Sequence, residues 1–165
     1  MYIICMTINE ILDSFYKEGA INTETVSAIQ NDKALRKELI TYFRQNQDRK
    51  FALTLLDKFI AIRKFPEGIM PFEDLMLACY ILGLHNHIED CLKIWEAKVT
   101  DFDTHCGLDV QLVVFAGIKE TINFLKQQRA QMAKEALEYV SDCCKGGSFD
   151  DINEYFSPNE LPWFI

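Results

Sequence analysis

Residues 75–83 read "LMLACYILG". Eight apolar residues precede the glycine, and none of them leaves a polar face at helical spacing. A helix of this composition has to be covered on both sides by other elements. Just upstream, "FPEGIMP" at 65–71 breaks the preceding pattern with two prolines and a glycine. Pro71 is well placed to open the next helix. The run therefore predicts a buried helix over 72–82 that stops at Gly83.

Working back toward the N-terminus, amphipathic helices come one after another. Thr7 and Glu10 have capping-box spacing, with Met6 and Ile11 placed as a hydrophobic staple. Ile8, Ile11, Leu12 and Phe15 follow at helical intervals, and Gly19 suits the C-terminal cap. A short helix is expected over 23–30. Asp32 is placed to cap a helix with Leu35, Leu39, Ile40 and Phe43 on one face. Asp48 is placed to cap another, with Phe51, Leu55, Leu56, Phe59 and Ile60 in its stripe.

Toward the C-terminus, a helix is expected from about 86 to 99. Ile88, Cys91, Leu92, Trp95 and Val99 make one face, and Glu89 and Lys93 are spaced to pair on the other. Asn86 or His85 is the expected cap. "TDFDTHCGLD" at 100–109 reads as a polar turn, with Gly107 supplying an unusual backbone shape. "VQLVVFA" at 110–116 is again apolar all round and reads as a second buried helix, ended by Gly117. Helices over about 118–128, through Ile118, Ile122 and Leu125, and 129–145, through Ala133, Ala136, Leu137, Val140 and Cys144, complete the series before Gly146 and Gly147.

The unit of buried helix, glycine, turn and amphipathic helix thus occurs twice. Gly83 and Gly117 lie 34 residues apart, and Leu84, Ile88 and Cys91 align with Ile118, Ile122 and Leu125. Such a period is typical of helical-hairpin arrays, in which each hairpin leaves an apolar face for its neighbour. With the glycine between paired helices, the Ile88/Leu92 and Ile122/Leu125 pairs, and Asp103 and Gly107 in the intervening turn, the stretch 78–125 resembles a degenerate ankyrin array. "DVQL" stands where the ankyrin Thr-Pro-Leu-His signature belongs. The resemblance implies a protein-binding scaffold without catalysis.

Composition narrows the function classes. Apolar residues make up 49% of the 165, which excludes disorder for most of the chain. The net charge of −8 disfavours nucleic acid and anionic membrane as partners and favours basic proteins or cations. The charge is unevenly spread. Residues 32–65 hold nine Lys and Arg against four Asp and Glu, whereas the remainder holds eight against 21. The basic stretch reads as a solvated helical face or as a docking patch for an acidic ligand. No stretch is long enough to span a bilayer, and "MYIICMTINEIL" lacks the features of a secretory signal. The six cysteines show no framework spacing, so a reduced, cytoplasmic protein is expected. Cys143 and Cys144 are adjacent, and a helix end suits them better than a redox pair.

Residues 83–109 gather all three histidines and two cysteines. His87 and Cys91 are four apart on a helix, and with His105 and Cys106 they number enough for zinc, but the pair spacings of zinc sites are missing. Asp101, Asp103 and Asp109 match three positions of a calcium loop that lacks its glycine and its closing glutamate. Cys106 or Cys91 as a nucleophile would need a base, and His105 offers only adjacency. The better reading is a capped turn.

The last residues, "GGSFDDINEYFSPNELPWFI", are acidic and aromatic. They read as a short helix over 150–156, ended before Pro158, and a segment folded back on the last hairpin; the alternative is a peptide that docks on a partner.

The sequence therefore predicts an all-α fold. It is an irregular array of stacked antiparallel helical hairpins of the ankyrin, tetratricopeptide or HEAT kind, with about eight or nine helices. Residues 1–147 form one helical domain, and 148–165 form an acidic-aromatic tail packed as a cap. The expected function is non-catalytic binding of a basic protein partner, with no cofactor. A narrower version is an immunity or antitoxin-type inhibitor of a basic toxin. A different class is a metal-dependent hydrolase using His85, His87, Asp101, Asp103 and His105. The expected partner contacts are Asp101, Asp103 and His105 on the polar turn, with Arg44, Arg49 and Lys50 on the basic face.

Overall fold

The computed structural model describes residues 5–165, and readings that fall on Met1–Ile4 lie outside it. The described residues are all-α, with ten α-helices and one 3-10 turn. They run α1 (Ile8–Glu18), α2 (Thr23–Asn31), α3 (Lys33–Phe43), α4 (Arg49–Lys64), α5 (Phe72–Gly83), α6 (Asp90–Lys98) and α7 (Phe102–Gly107). The 3-10 turn Val110–Val114 follows, then α8 (Ile118–Lys126), α9 (Gln131–Lys145) and α10 (Ile152–Tyr155).

Local signals account for most helix ends. Thr7 and Glu10 form the reciprocal capping box of α1, and Gly19 ends it in the left-handed conformation at φ 72°. Asn22, Asp32 and Asp48 cap α2, α3 and α4 through their side-chain oxygens. Each apolar stripe then turns inward. Leu35, Leu39, Ile40 and Phe43 of α3 and Phe51, Leu55, Leu56, Phe59 and Ile60 of α4 are all buried. Phe51 packs edge-on against Phe15 and parallel to Phe43, with ring centroids 5.3 and 5.6 Å apart.

The helix predicted from "LMLACYILG" is the centre of the molecule. Ten successive residues, Asp74–Gly83, are buried. Helices α3, α4, α6 and α7 and the 3-10 turn all pack against it. Antiparallel neighbours α4/α5 and α8/α9 form the most extensive hairpins.

Several sequence expectations need correction. The helix expected at 86–99 begins only at Asp90, because Asn86 takes φ 55° and residues 84–89 form a turn. No side chain caps it, and His85 instead points back to the start of α4. Its inner face uses Cys91, Ile94, Trp95 and Ala97, while Val99 is exposed. Glu89 and Lys93 do not pair; they bind Arg49 and Asp57 respectively. The polar turn at 100–109 contains α7, where Asp101 and Thr104 form a second capping box. Gly107 is required by packing, not by backbone shape: a Cβ there would lie 2.9 Å from the ring of Phe72. "VQLVV" is a single 3-10 turn in place of an α-helix. Cys144 is exposed and Cys143 is the half-buried member of that pair.

The two glycines of the 34-residue period do different work. Gly117 adopts φ 111° and precedes α8, whereas Gly83 is the last helical residue of α5, where a Cβ would collide with the Phe115 ring. One copy of the unit holds a twelve-residue α-helix and the other a five-residue 3-10 turn. The structure thus lends the ankyrin resemblance no support.

The tail leaves α9 through Gly146 and Gly147 and contacts the 3-10 turn, α5 and α3. Phe156 stacks on Phe115 at 4.2 Å, and Phe164 is buried against Tyr80.

Candidate functional site

The four arginines of the basic stretch 32–65 all turn out to be bound within the fold. Arg36 is buried and pairs with buried Asp74 at 2.5 Å, while its second amino group donates to the carbonyl of Phe164 at 3.1 Å. Arg44 donates to the carbonyls of Ser157, Pro158 and Glu160 and to the Tyr80 hydroxyl. Arg49 grips both oxygens of buried Asp90 at 2.9 and 2.5 Å and also reaches Glu89. Arg63 grips Asp101 at 2.6 and 3.0 Å and donates to the carbonyl of Met70 at 2.8 Å. Guanidinium suits such fixed, forked contacts better than ammonium does. Segment 32–65 is thus a source of internal ties: Arg36, Arg49 and Arg63 reach carboxylates 38 to 41 residues away, and Arg36 and Arg44 reach the tail.

The expected contact residues therefore divide. Arg44 and Arg49 are bound internally. Lys50 is exposed, lying 6.0 and 5.8 Å above the rings of Phe15 and Tyr16. Asp101 caps α7 and holds Arg63, whose hydrogen bonds keep its carboxyl below the usual carboxylate range. Asp103 is open to water, with 75% of its side chain exposed. His105 is half-buried, its ring 5.2 Å from Tyr139 and 6.5 Å from Trp95.

The proposed metal set is not assembled among the described residues. Among the described residues, no three His, Cys, Asp or Glu side chains are placed to hold a metal ion. His85 is buried and engaged at both nitrogens: Nδ1 lies 2.9 Å from the Ile81 carbonyl, and Nε2 accepts from the Asp48 amide at 2.8 Å. With Nε2 accepting from that amide, Nδ1 is left as the donor to the Ile81 carbonyl. His87 lies at the surface beside Glu89. Cys91 is buried, and burial pushes its thiol up to about 12, far from a reactive thiolate.

A groove of about 430 Å³ lies where the end of α4, the start of α5 and α7 meet. Arg63, Pro71, Phe72, Glu73, Asp103 and Cys106 line it, with Gly107. Arg63 builds it, since one side chain ties α4 to the 65–71 loop and to the cap of α7. Phe72 fits against Gly107, which sets how closely α5 and α7 approach. Close in the chain to these lining residues stand apolar side chains that face water. Phe65, Ile69 and Phe102 are 60, 82 and 79% exposed. Each stands within two residues of a groove-lining position. Glu73 has no cation within 4.0 Å among the described residues, and Asp103 touches only the rim of Arg63 at 3.6 Å.

Sequence reading reached Asp103 and Cys106 but missed Phe65, Ile69, Phe72, Phe102 and Glu73. The apolar letters inside the loop-breaking "FPEGIMP" were the available signal: Phe65 and Ile69 sit in a turn with no helical face to turn them inward.

Lys98 is buried, with its ammonium on the carbonyls of His105 and Leu108, both at 2.6 Å, and 5.2 Å from the centroid of the Tyr139 ring. Burial lowers its pKa from the ordinary lysine value. It ties the end of α7 to α6. Among the described residues no helix is long and apolar enough to cross a membrane. No family model, no curated protein and no solved structure matches the chain.

Proposed function

We propose that this chain is a non-catalytic protein-interaction domain whose groove at α4, α5 and α7 receives a basic segment of a partner protein. The observation that carries the reading is the company kept by Phe65, Ile69 and Phe102: three exposed large apolar side chains close in the chain to Glu73, which has no cation within 4.0 Å among the described residues, and to Asp103, which only touches Arg63 at 3.6 Å. Apolar contact area supplies affinity when water leaves such a patch. The Glu73 and Asp103 carboxylates supply orientation and faster encounter with a cationic partner. The internal commitment of Arg36, Arg49 and Arg63 to carboxylates adds support, because the cations that would repel a basic partner are occupied. Two buried cysteines, Cys79 and Cys91, acting as small apolar groups favour a reducing, cytoplasmic setting.

The test compares three immobilised proteins on native lysate: wild type, Phe102→Ser with Asp103→Lys, and the remote control Glu24→Lys. The expected result is a basic protein held by wild type and by the control, released by raised salt, and lost from the groove variant. Equal retention on the groove variant would sink the assignment.

A further inference from the structure

We infer that the cleft formed by α3, α5 and the 3-10 turn is a peptide-binding site, filled in this structure by the chain's own tail, and that its foreign occupant is an acidic peptide with two aromatic residues spaced as Phe156 and Phe164 are. The two sites use different residues: Glu73 lines the groove, whereas its neighbour Asp74 pairs with Arg36. It does not rest on the reading of that groove.

The contacts themselves describe the ligand. Arg44 donates to the carbonyls of Pro158, Ser157 and Glu160 at 3.1, 3.3 and 2.6 Å. Arg36 donates to the Phe164 carbonyl at 3.1 Å, and the Gln111 amide donates to that of Ser148 at 3.1 Å. Every one of these acceptors is main chain, so any peptide in the same path supplies them. Selectivity comes from elsewhere. One aromatic seat holds Phe156 against Phe115 and Tyr80, and a second buries Phe164 against Tyr80. Asp109 accepts from the Tyr155 hydroxyl and the Trp163 indole at 2.8 and 2.7 Å. Charge completes the match. Arg44 has no carboxylate within 4.0 Å among the described residues, while the chain beyond Lys145 carries four acidic residues and no basic one.

The tail is also built to leave. Gly146 and Gly147 precede it, with Gly147 at φ 82°. Only Phe149 and Phe164 within it are fully buried, and Leu161 and Trp163 are 42 and 61% exposed. A tethered segment competes at high effective concentration, so a foreign peptide gains access when the tether or its anchors are weakened.

A labelled peptide of residues 148–165 serves as the probe, titrated by fluorescence anisotropy against full-length chains. The Phe156→Ala/Phe164→Ala chain, which keeps the cleft and loses the anchors, should bind it about tenfold more tightly than wild type. Adding Arg44→Ala should abolish that gain, and a peptide with Phe156 and Phe164 both replaced should not bind. If the alanine chain does not fold, a flexible Gly-Ser insert of about 20 residues after Gly147 should raise peptide affinity in the same direction. Equal binding to wild type and to the folded loosened chain, or none to either, overturns the site. A concentration-dependent wild-type dimer that Phe164→Ala abolishes gives the cleft to a second copy and overturns the foreign occupant.

Discussion

Two charged regions of this molecule look alike as letters and differ in kind as structure. Around α3 and α4, Arg36, Arg49 and Arg63 end on carboxylates of α5, α6 and the α7 cap, and Arg44 ends on tail carbonyls. Around the groove, Asp103 faces water and Glu73 is half-buried, with exposed Phe65, Ile69 and Phe102 close by in the chain. The first region uses charge to join segments remote in sequence. The second leaves the Glu73 charge and the apolar surface without an internal partner, and Asp103 with only a 3.6 Å contact to Arg63. Net charge alone, at −8, does not distinguish them.

The sharpest way to break this contrast is at Arg36. Removing one partner of a buried ion pair strands the other, so Arg36→Met should lower unfolding free energy by about 3–5 kcal/mol. Arg36→Met combined with Asp74→Leu should recover much of that loss in urea denaturation, because no charge is then left buried. If the single change is neutral, the arginine is not a tie.

Lys98 comes next. Lys98→Met orphans the carbonyls of His105 and Leu108 and should cost about 1–3 kcal/mol, read by the same denaturation. A stability equal to wild type would mean that α7 holds without it.

A smaller effect follows pH. The carboxyls of Asp101 and Glu96 lie below their ordinary values of 3.8 and 4.5. For Asp101 the Arg63 hydrogen bonds are the cause; for Glu96 burial pushes up, and Lys93 and Lys64 outweigh it. Folded-state values below unfolded ones mean stability that is present above about pH 4.5 and is lost as pH falls through the lowered values. Asp101→Asn should therefore shrink the acid-induced drop in Tm by a few degrees, and an unchanged drop would place the loss elsewhere.

The smallest effect is expected at the groove itself. Phe102→Ser should change stability by no more than about 0.5 kcal/mol, since the side chain is already in water. A large loss would show that Phe102 supports the fold and would erase the contrast.

The same contrast separates what the sequence made legible from what it did not. Caps at Thr7, Asp32 and Asp48 were readable because cap and helix are local chemistry. The burial of α5 was readable because a run without a polar face has one outcome. The arginine destinations were not, since Arg44 and Glu160 lie 116 residues apart and no spacing rule connects them. The imbalance between residues 32–65 and the acidic remainder carried that information only as a sum. Helix α7 was missed because its six residues hold almost no apolar period, and the groove was missed with it.

Helix α5 decides how the molecule comes apart. In a linear stack each unit touches only the next, and an end can unravel while the rest persists. Here one buried helix is shared by α3, α4, α6, α7 and the 3-10 turn, and the tail laces α3 to the far end of the chain. No hairpin can peel away without uncovering that common helix. The consequence is cooperativity: a single unfolding transition, with the amides of α5 exchanging with solvent only when the whole domain opens.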